Sequence, residues 1–324
     1  MIELLCIGNA MVDVFAEVPP DFCKQFALKN PVQHVSSETA AAILAALPND
    51  VVITAGGGAA NTAKIATRLG LSAAFTGAVG SDNYADLFEN ELKETGVFVH
   101  IVRKKSPTGV FISLTAKNSL QEDTEFSGCI AASPSAALEF TAEDIDLSLF
   151  ESAENTVRVL MLEGFLLGRD TLVSRIGELV TKHKIPLAVD FGTSLIASVQ
   201  AELFKEKHSP LWDKTGKFPL ILFFNEKEAE AFAKIFGYDW ESLFIFLSHS
   251  ILTAVKLAER GAAVFSGGKV YYTRAKRIKA AESTGAGDAF AAGFLAAWIR
   301  GEGPEQCGQA GNAAASLVLK AQDS

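Results

Sequence analysis

Residues 281–291 read AESTGAGDAFA and run directly into AGFLAAWIRG, which has the apolar spacing of a helix. Three small residues, Gly285, Ala286 and Gly287, stand just before an acid, Asp288. Glycine lets a ligand approach the main chain, and a helix start presents unpaired N–H groups carrying partial positive charge. The pattern fits an anion cradle with one carboxylate aimed into it. A tight turn whose Asp caps a helix has the same wording, so other polar positions must decide.

A second glycine cluster, Gly56 to Gly58 in TAGGGAANTAKIATRLG, follows the apolar run DVVIT. It fails as a dinucleotide fingerprint because Asn61 stands where the third glycine belongs. The chain has neither a phosphate loop ending in Gly-Lys-Ser or Gly-Lys-Thr nor a Gly-x-Ser-x-Gly elbow. What remains is a backbone opened by glycine and an amide, Asn61, able to donate and accept. Asp13, after Gly8 and Asn9, is expected at the end of the first strand, where it either accepts from substrate hydroxyls or closes a turn. In FFNEKEAEAF, Asn225 and Glu228 lie one helical turn apart. That spacing suits hydrated Mg2+, which takes few protein ligands, and equally suits a capping box.

These residues need elements to hold them. The apolar runs IELLCIG, DVVITA, SAAFTGAVG, RVLMLEG, IPLAVDFG, PLILFFNE and ILTAVKLA alternate with amphipathic stretches such as AANTAKIATRLG, YADLFENELKETG, DTLVSRIGELVTKHK and EKEAEAFAKIFG. Such alternation predicts an α/β fold: a mostly parallel sheet flanked by helices, with ligands at the carboxyl ends of strands. Residues 13–36 and 97–128 break the pattern, and GVFVHIVRK and TGVFISLTA read as extended. They predict a small β-strand lid within one domain spanning residues 1–324. LFIFLSHSI at 243–251 reads as core.

A chain of 324 residues can bury a sizeable core, and its net charge of -9 argues against nucleic acid or an anionic membrane as the main partner. The basic run RAKRIK at 274–279 is too short to reverse that. Cys6, Cys23, Cys129 and Cys307 show no Cys-x-x-Cys pair and no metal-ligand spacing, so reduced, mostly buried thiols of a cytoplasmic protein are expected. The start MIELLCIGNAMVDVF carries Glu3 and Asp13 without a basic leader and reads as a strand rather than a signal peptide. No stretch reaches the ~18 uninterrupted apolar residues of a membrane span.

GNAMVD, GGGAANTAKIATRLG, GAVGSDNYADLFENELKETGV, NEKEAEAF and STGAGDAFAAGFL occur in the order and approximate spacing of motifs in the ribokinase-like carbohydrate kinases, the PfkB family. The chain resembles that family over nearly its whole length. AEVPPDFCKQF, GGGAAN and LEGFLL are most similar to the adenosine-kinase-like branch, which includes sugar and nucleoside kinases. The resemblance implies a three-layer ribokinase-like sandwich and transfer of phosphate from ATP, with Mg2+, to a hydroxymethyl group. It implies Asp288 as catalytic base and the backbone of Gly285, Ala286 and Gly287 as anion hole. Asp13, Gly57, Asn61 and Glu163 would face the substrate. Asn225, Lys256 and Asn312 would serve the nucleotide, the last near the adenine, with Glu228 at the metal. A small sugar leads as acceptor, and a nucleoside is the alternative. A non-catalytic sugar or nucleotide sensor ranks behind both, because a sensor needs no base. A homodimer through the lid would fit the same family.

Three departures stand out. Glu282 replaces an Asp found in many members, which puts a monovalent cation in question. Ala258 in VKLAERGA takes the place of the glycine in the turn beside the nucleotide. NSLQEDTEF at 118–126 lacks the lid's Gly-Glu-Arg.

Overall fold

The computed structural model describes residues 2–19, 21–28, 32–116, 128–151, 157–206, 220–276, 278 and 284–322. Glu282 and the segment 118–126 lie outside them.

Among the described residues the larger sheet has nine strands, in the order Lys269–Thr273, Ala262–Ser266, Ile251–Lys256, Leu220–Asn225, Leu187–Asp190, Val159–Glu163, Leu4–Ile7, Ala73–Val79 and Phe98–Arg103. Neighbours pair in parallel, except the two strands nearest the Lys269–Thr273 edge, which run antiparallel. Continuous apolar runs suit strands buried on both faces. In Ala73–Val79 every residue is buried. Alternate residues serve opposite cores: Leu4 and Cys6 face one layer of helices, Leu5 and Ile7 the other. The result is a helix–sheet–helix sandwich, as the alternation predicted.

The helix Ala286–Ile299 is apolar on nearly all sides and is buried between Gly58–Arg68 and Pro304–Gln322. Its start, which carries the glycine motif, is half-buried, and the turns that follow it, from Ala289 onward, are anchored in the core. The run 243–251 is only partly core: Leu243 and Phe244 are buried, whereas Phe246 is exposed.

A smaller sheet has the order Gln33–His34, Gly128–Ser133, Gly109–Ala116, Met11–Val18, Val51–Gly56. Three placements differ from the sequence-based expectation. Phe98–Arg103 extends the larger sheet, parallel to Ala73–Val79, and Val51–Gly56 joins the smaller one. Asp13 is the third residue of Met11–Val18, inside a small-sheet strand, and not at the end of the first strand, Leu4–Ile7. The chain turns at Gly8–Ala10 and changes sheet, which a single apolar run conceals.

The expectation of four reduced thiols is also corrected. Cys23 and Cys129 form a disulfide across 106 residues of sequence, tying Phe22–Gln25 to the strand Gly128–Ser133. Cys6 and Cys307 are free and buried. The thiol argument for a reducing compartment therefore falls away. No helix of the described residues is long and apolar enough to cross a membrane.

Candidate active site

Four adjacent parallel strands each end on a polar or charged residue: Glu163, Asp190, Asn225 and Lys256. Register sets Asp190 beside Glu163 and Lys256 beside Asn225. Their side chains meet in a cavity of about 640 Å³ that also takes in Asp13, Gly57, Asn61 and Asp288. Ligand sites of open parallel sheets lie at this end of the strands.

The helix opposite supplies the glycine motif. Gly285 is its N-cap, left-handed at φ 79°, with no side-chain cap bond, and Ala286 begins the helix. The first N–H groups therefore have no carbonyl within the helix, as an anion cradle requires. Asp288 lies in this first turn. Its Oδ2 accepts a bond of 3.1 Å from Asn61 Nδ2, and its carbonyl accepts one of 3.4 Å from Thr62 Oγ1. Burial, then the nearby Asp190 charge, pushes the Asp288 carboxyl up to about 7, against the pull of Asn61 and Lys256. A carboxylate with that pKa can take a proton at neutral pH. Asn61, expected on the substrate, is held on Asp288.

Glu163 is 7% exposed, and both its oxygens accept backbone N–H bonds. Asn9 N donates over 2.6 Å and Gly58 N over 3.2 Å, so this carboxylate ties the exit of the first strand to the glycine loop. Burial pushes it up to about 7 despite those bonds. Asp13 lines the cavity from the smaller sheet, close enough that a Cβ on Gly56 would overlap its carboxylate.

Asn225 and Glu228 form a full capping box. Asn225 Oδ1 accepts from Glu228 N at 2.9 Å, while Glu228 accepts from Asn225 N at 2.8 Å and from Asn225 Nδ2 at 2.6 Å. Burial and Asp190 raise the Glu228 carboxyl. Both Glu228 oxygens are thus engaged within the protein, and among the described residues no group of three metal-ligating side chains could hold an ion alone. The donor set would fit Mg2+ only as an ion that takes most of its ligands from elsewhere, and Glu228 and Asp190 are the carboxylates that would border it.

Lys256 Nζ bonds Asp190 Oδ2 at 2.7 Å. Burial alone would lower the ammonium, but Asp190 and Glu228 outweigh it and leave its pKa above the ordinary lysine value. Asn312 is not brought to the cavity. Its Nδ2 donates to Thr273 O at 3.1 Å and Thr273 Oγ1 at 2.9 Å, pinning the helix Pro304–Gln322 to a strand end. Sequence reasoning missed Asp190, although IPLAVDFG carries the same signal as VLMLEG: an acid closing an apolar run before a glycine.

The remaining lining includes the polar Asn9, His34, Thr193 and Thr284 but is mostly apolar, with Met11, Phe111, Met161 and a mouth of Val32, Leu138 and Phe165. These last three are 44%, 59% and 43% exposed. Large apolar side chains left open to water around one cavity mark a surface that a ligand covers.

Residues 26–324 match the model of the pfkB family of carbohydrate kinases. Over 339 aligned residues the chain is 25% identical to adenosine kinase 1 of Arabidopsis thaliana, covering 98% of this chain and 94% of that protein. It is also 25% identical to a ribokinase of Arabidopsis thaliana, with 98% and 76% covered. The crystal structure of adenosine kinase from Sinorhizobium meliloti superposes with a TM-score of 0.80 at 24% identity, covering 98% of this chain and 94% of that one.

Proposed function

The chain belongs to the pfkB family of carbohydrate kinases, and from that premise we propose that it transfers the γ-phosphoryl group of ATP to a hydroxymethyl group of a nucleoside. The sequence ranked a small sugar first. The apolar mouth of Val32, Leu138 and Phe165 beside the Asp13 carboxylate carries the change of order. A free sugar carries hydroxyls around its whole rim and offers only small C–H faces, whereas a nucleoside offers hydroxyls to an acid and a broad flat base to an apolar wall. The similarity to adenosine kinase 1 supports the same reading.

In this reading Asp13 accepts from the sugar hydroxyls and aims the hydroxymethyl group at Asp288. Asp288, oriented by Asn61, takes the hydroxyl proton as the oxygen bonds to phosphorus. N–H groups at the start of Ala286–Ile299 receive the charge of the moving phosphoryl group. Bound Mg2+ would neutralise phosphate charge, and Glu228, locked by Asn225, borders its place. Positioning and charge stabilisation carry most of such a reaction, because phosphoryl transfer asks little covalent chemistry of the protein.

The test is ADP release from ATP over a panel of nucleosides and free sugars. Highest kcat/KM with a nucleoside supports the proposal. Highest kcat/KM with a free sugar restores the sugar reading, and ligand binding without turnover on any acceptor restores the sensor.

A further inference from the structure

The cavity's charges are lopsided. Asp13, Glu163, Asp190, Glu228 and Asp288 line it, and among its described lining residues Lys256 is the one lysine or arginine. A site that takes up a polyanion must answer for that excess.

Lys256 occupies an unusual place. It closes the strand Ile251–Lys256, and its side chain, 17% exposed, reaches toward the start of the helix Ala286–Ile299. A Cβ on Gly287 would lie 3.3 Å from the Lys256 Nζ, so the ammonium rests against the backbone of that first turn. A helix N-terminus carries partial positive charge, and a cation there is disfavoured. Asp190 offsets the conflict by bonding the ammonium at 2.7 Å from the neighbouring strand end. Gly287 leaves the approach open. Two positive features are thereby concentrated on one spot, with the Asp190 carboxylate holding the ammonium in place.

We propose that Lys256 is a side-chain arm of the anion hole: a fixed ammonium, positioned by Asp190, that stabilises the phosphoryl group as it moves. The proposal rests on the phosphotransferase reading above. In the step, the acceptor oxygen bonds to phosphorus, the bond from phosphorus to the bridging oxygen of ADP breaks, and that oxygen keeps the electron pair. The acceptor proton goes to Asp288. Lys256 keeps its proton and exchanges no group. Its charge is nearest to the phosphoryl oxygens, so its loss affects kcat more than the KM of the acceptor.

The experiment compares Lys256→Met, Lys256→Arg and the double variant Asp190→Asn/Lys256→Met with wild type. Two quantities are read: kcat with the best acceptor, and calorimetric binding of sodium tripolyphosphate as a bare polyanion. Lys256→Met should cut kcat by about 100-fold to 1,000-fold, the scale of losing one oxyanion donor, and weaken tripolyphosphate binding by about 10-fold. Acceptor KM should move less than about threefold. Lys256→Arg should recover part of both losses. The double variant leaves no unpaired charge and carries the same measurements if Lys256→Met fails to fold. If wild type binds tripolyphosphate through Lys256 but turns over no acceptor, the phosphotransferase reading fails and the assignment of Lys256 to a phosphate group stands. Unchanged tripolyphosphate binding in the variants overturns the proposal whether or not wild type turns over.

Discussion

On the large-sheet wall of the cavity, each polar side chain has a fixed partner: Asp288 on Asn61, Glu163 on Asn9 and Gly58, Glu228 on Asn225, and Lys256 on Asp190. The apolar wall comes from the smaller sheet and the turns beside it, with Val32 and Leu138 open to water, and is completed by the exposed Phe165, which follows the large-sheet strand Val159–Glu163. The first wall is preorganised, and rearranging it would break several buried hydrogen bonds at once. The second is shaped by side-chain volume, which changes without disturbing those bonds. Chemistry is assigned to the rigid wall, and acceptor choice to the apolar one.

Three substitutions probe that division, and a fourth tests a turn outside it. Asp288→Asn attacks the rigid wall and should lower kcat by roughly 100-fold to 10,000-fold with the fold and ligand binding kept. A near-normal kcat in the purified variant removes Asp288 as base. With its pKa near 7, the wild-type kcat/KM should fall about tenfold per pH unit below that value and level off above it. The same group affects stability. The folded chain holds the Asp288 proton more tightly than the unfolded chain, whose carboxyl stays near 3.8, so stability falls as pH rises from about 4 to about 7 and no further. Melting curves of the unliganded Asp288→Asn variant should show a shallower fall across that window.

Asp13→Ala tests the one acid that, among the described residues, reaches the cavity from the smaller sheet. A charge-assisted bond is worth about 1.5–3 kcal/mol, so acceptor binding should weaken by roughly 10-fold to 150-fold while ATP binding hardly moves. Equal weakening of both ligands would break the division of labour. Phe165→Ala should weaken a nucleoside by about 5-fold to 10-fold, from partial loss of apolar contact, and leave a free sugar unaffected. Equal loss for both would remove the apolar wall from acceptor choice. The smallest effect is expected at Ala258, which sits at φ 53° in a turn where glycine belongs. Ala258→Gly relieves about 1–2 kcal/mol of left-handed strain against a gain in unfolded-chain entropy, so melting should rise by only a degree or two. A drop in melting temperature would contradict the strain.

Much of the rigid wall was readable in the sequence because its rule is local. An apolar run that ends on a polar residue puts that residue at the carboxyl end of a strand, as Glu163 and Asn225 illustrate. Asp190 obeys the same rule and is missed because Glu163 enters through the family resemblance, and no motif of that resemblance contains Asp190. The apolar wall was less readable. Apolar and extended-looking runs identify DVVIT and GVFVHIVRK as strands without saying which sheet each joins, and that choice depends on tertiary packing. The Cys23–Cys129 bond spans a separation of 106 residues that spacing does not reveal. For Asn225 and Glu228, one spacing serves a metal site and a capping box alike, and the local hydrogen bonds form the box.

The account's central claim is that this cavity moves a phosphoryl group onto a primary hydroxyl, and phosphorus NMR of the reaction mixture tests it most directly. With ATP and the best acceptor, each ATP lost should yield one ADP and one phosphomonoester whose phosphorus is split by the two protons of a CH2 group. Orthophosphate accompanied by unchanged acceptor, or a product phosphorus split by a single proton, would contradict it.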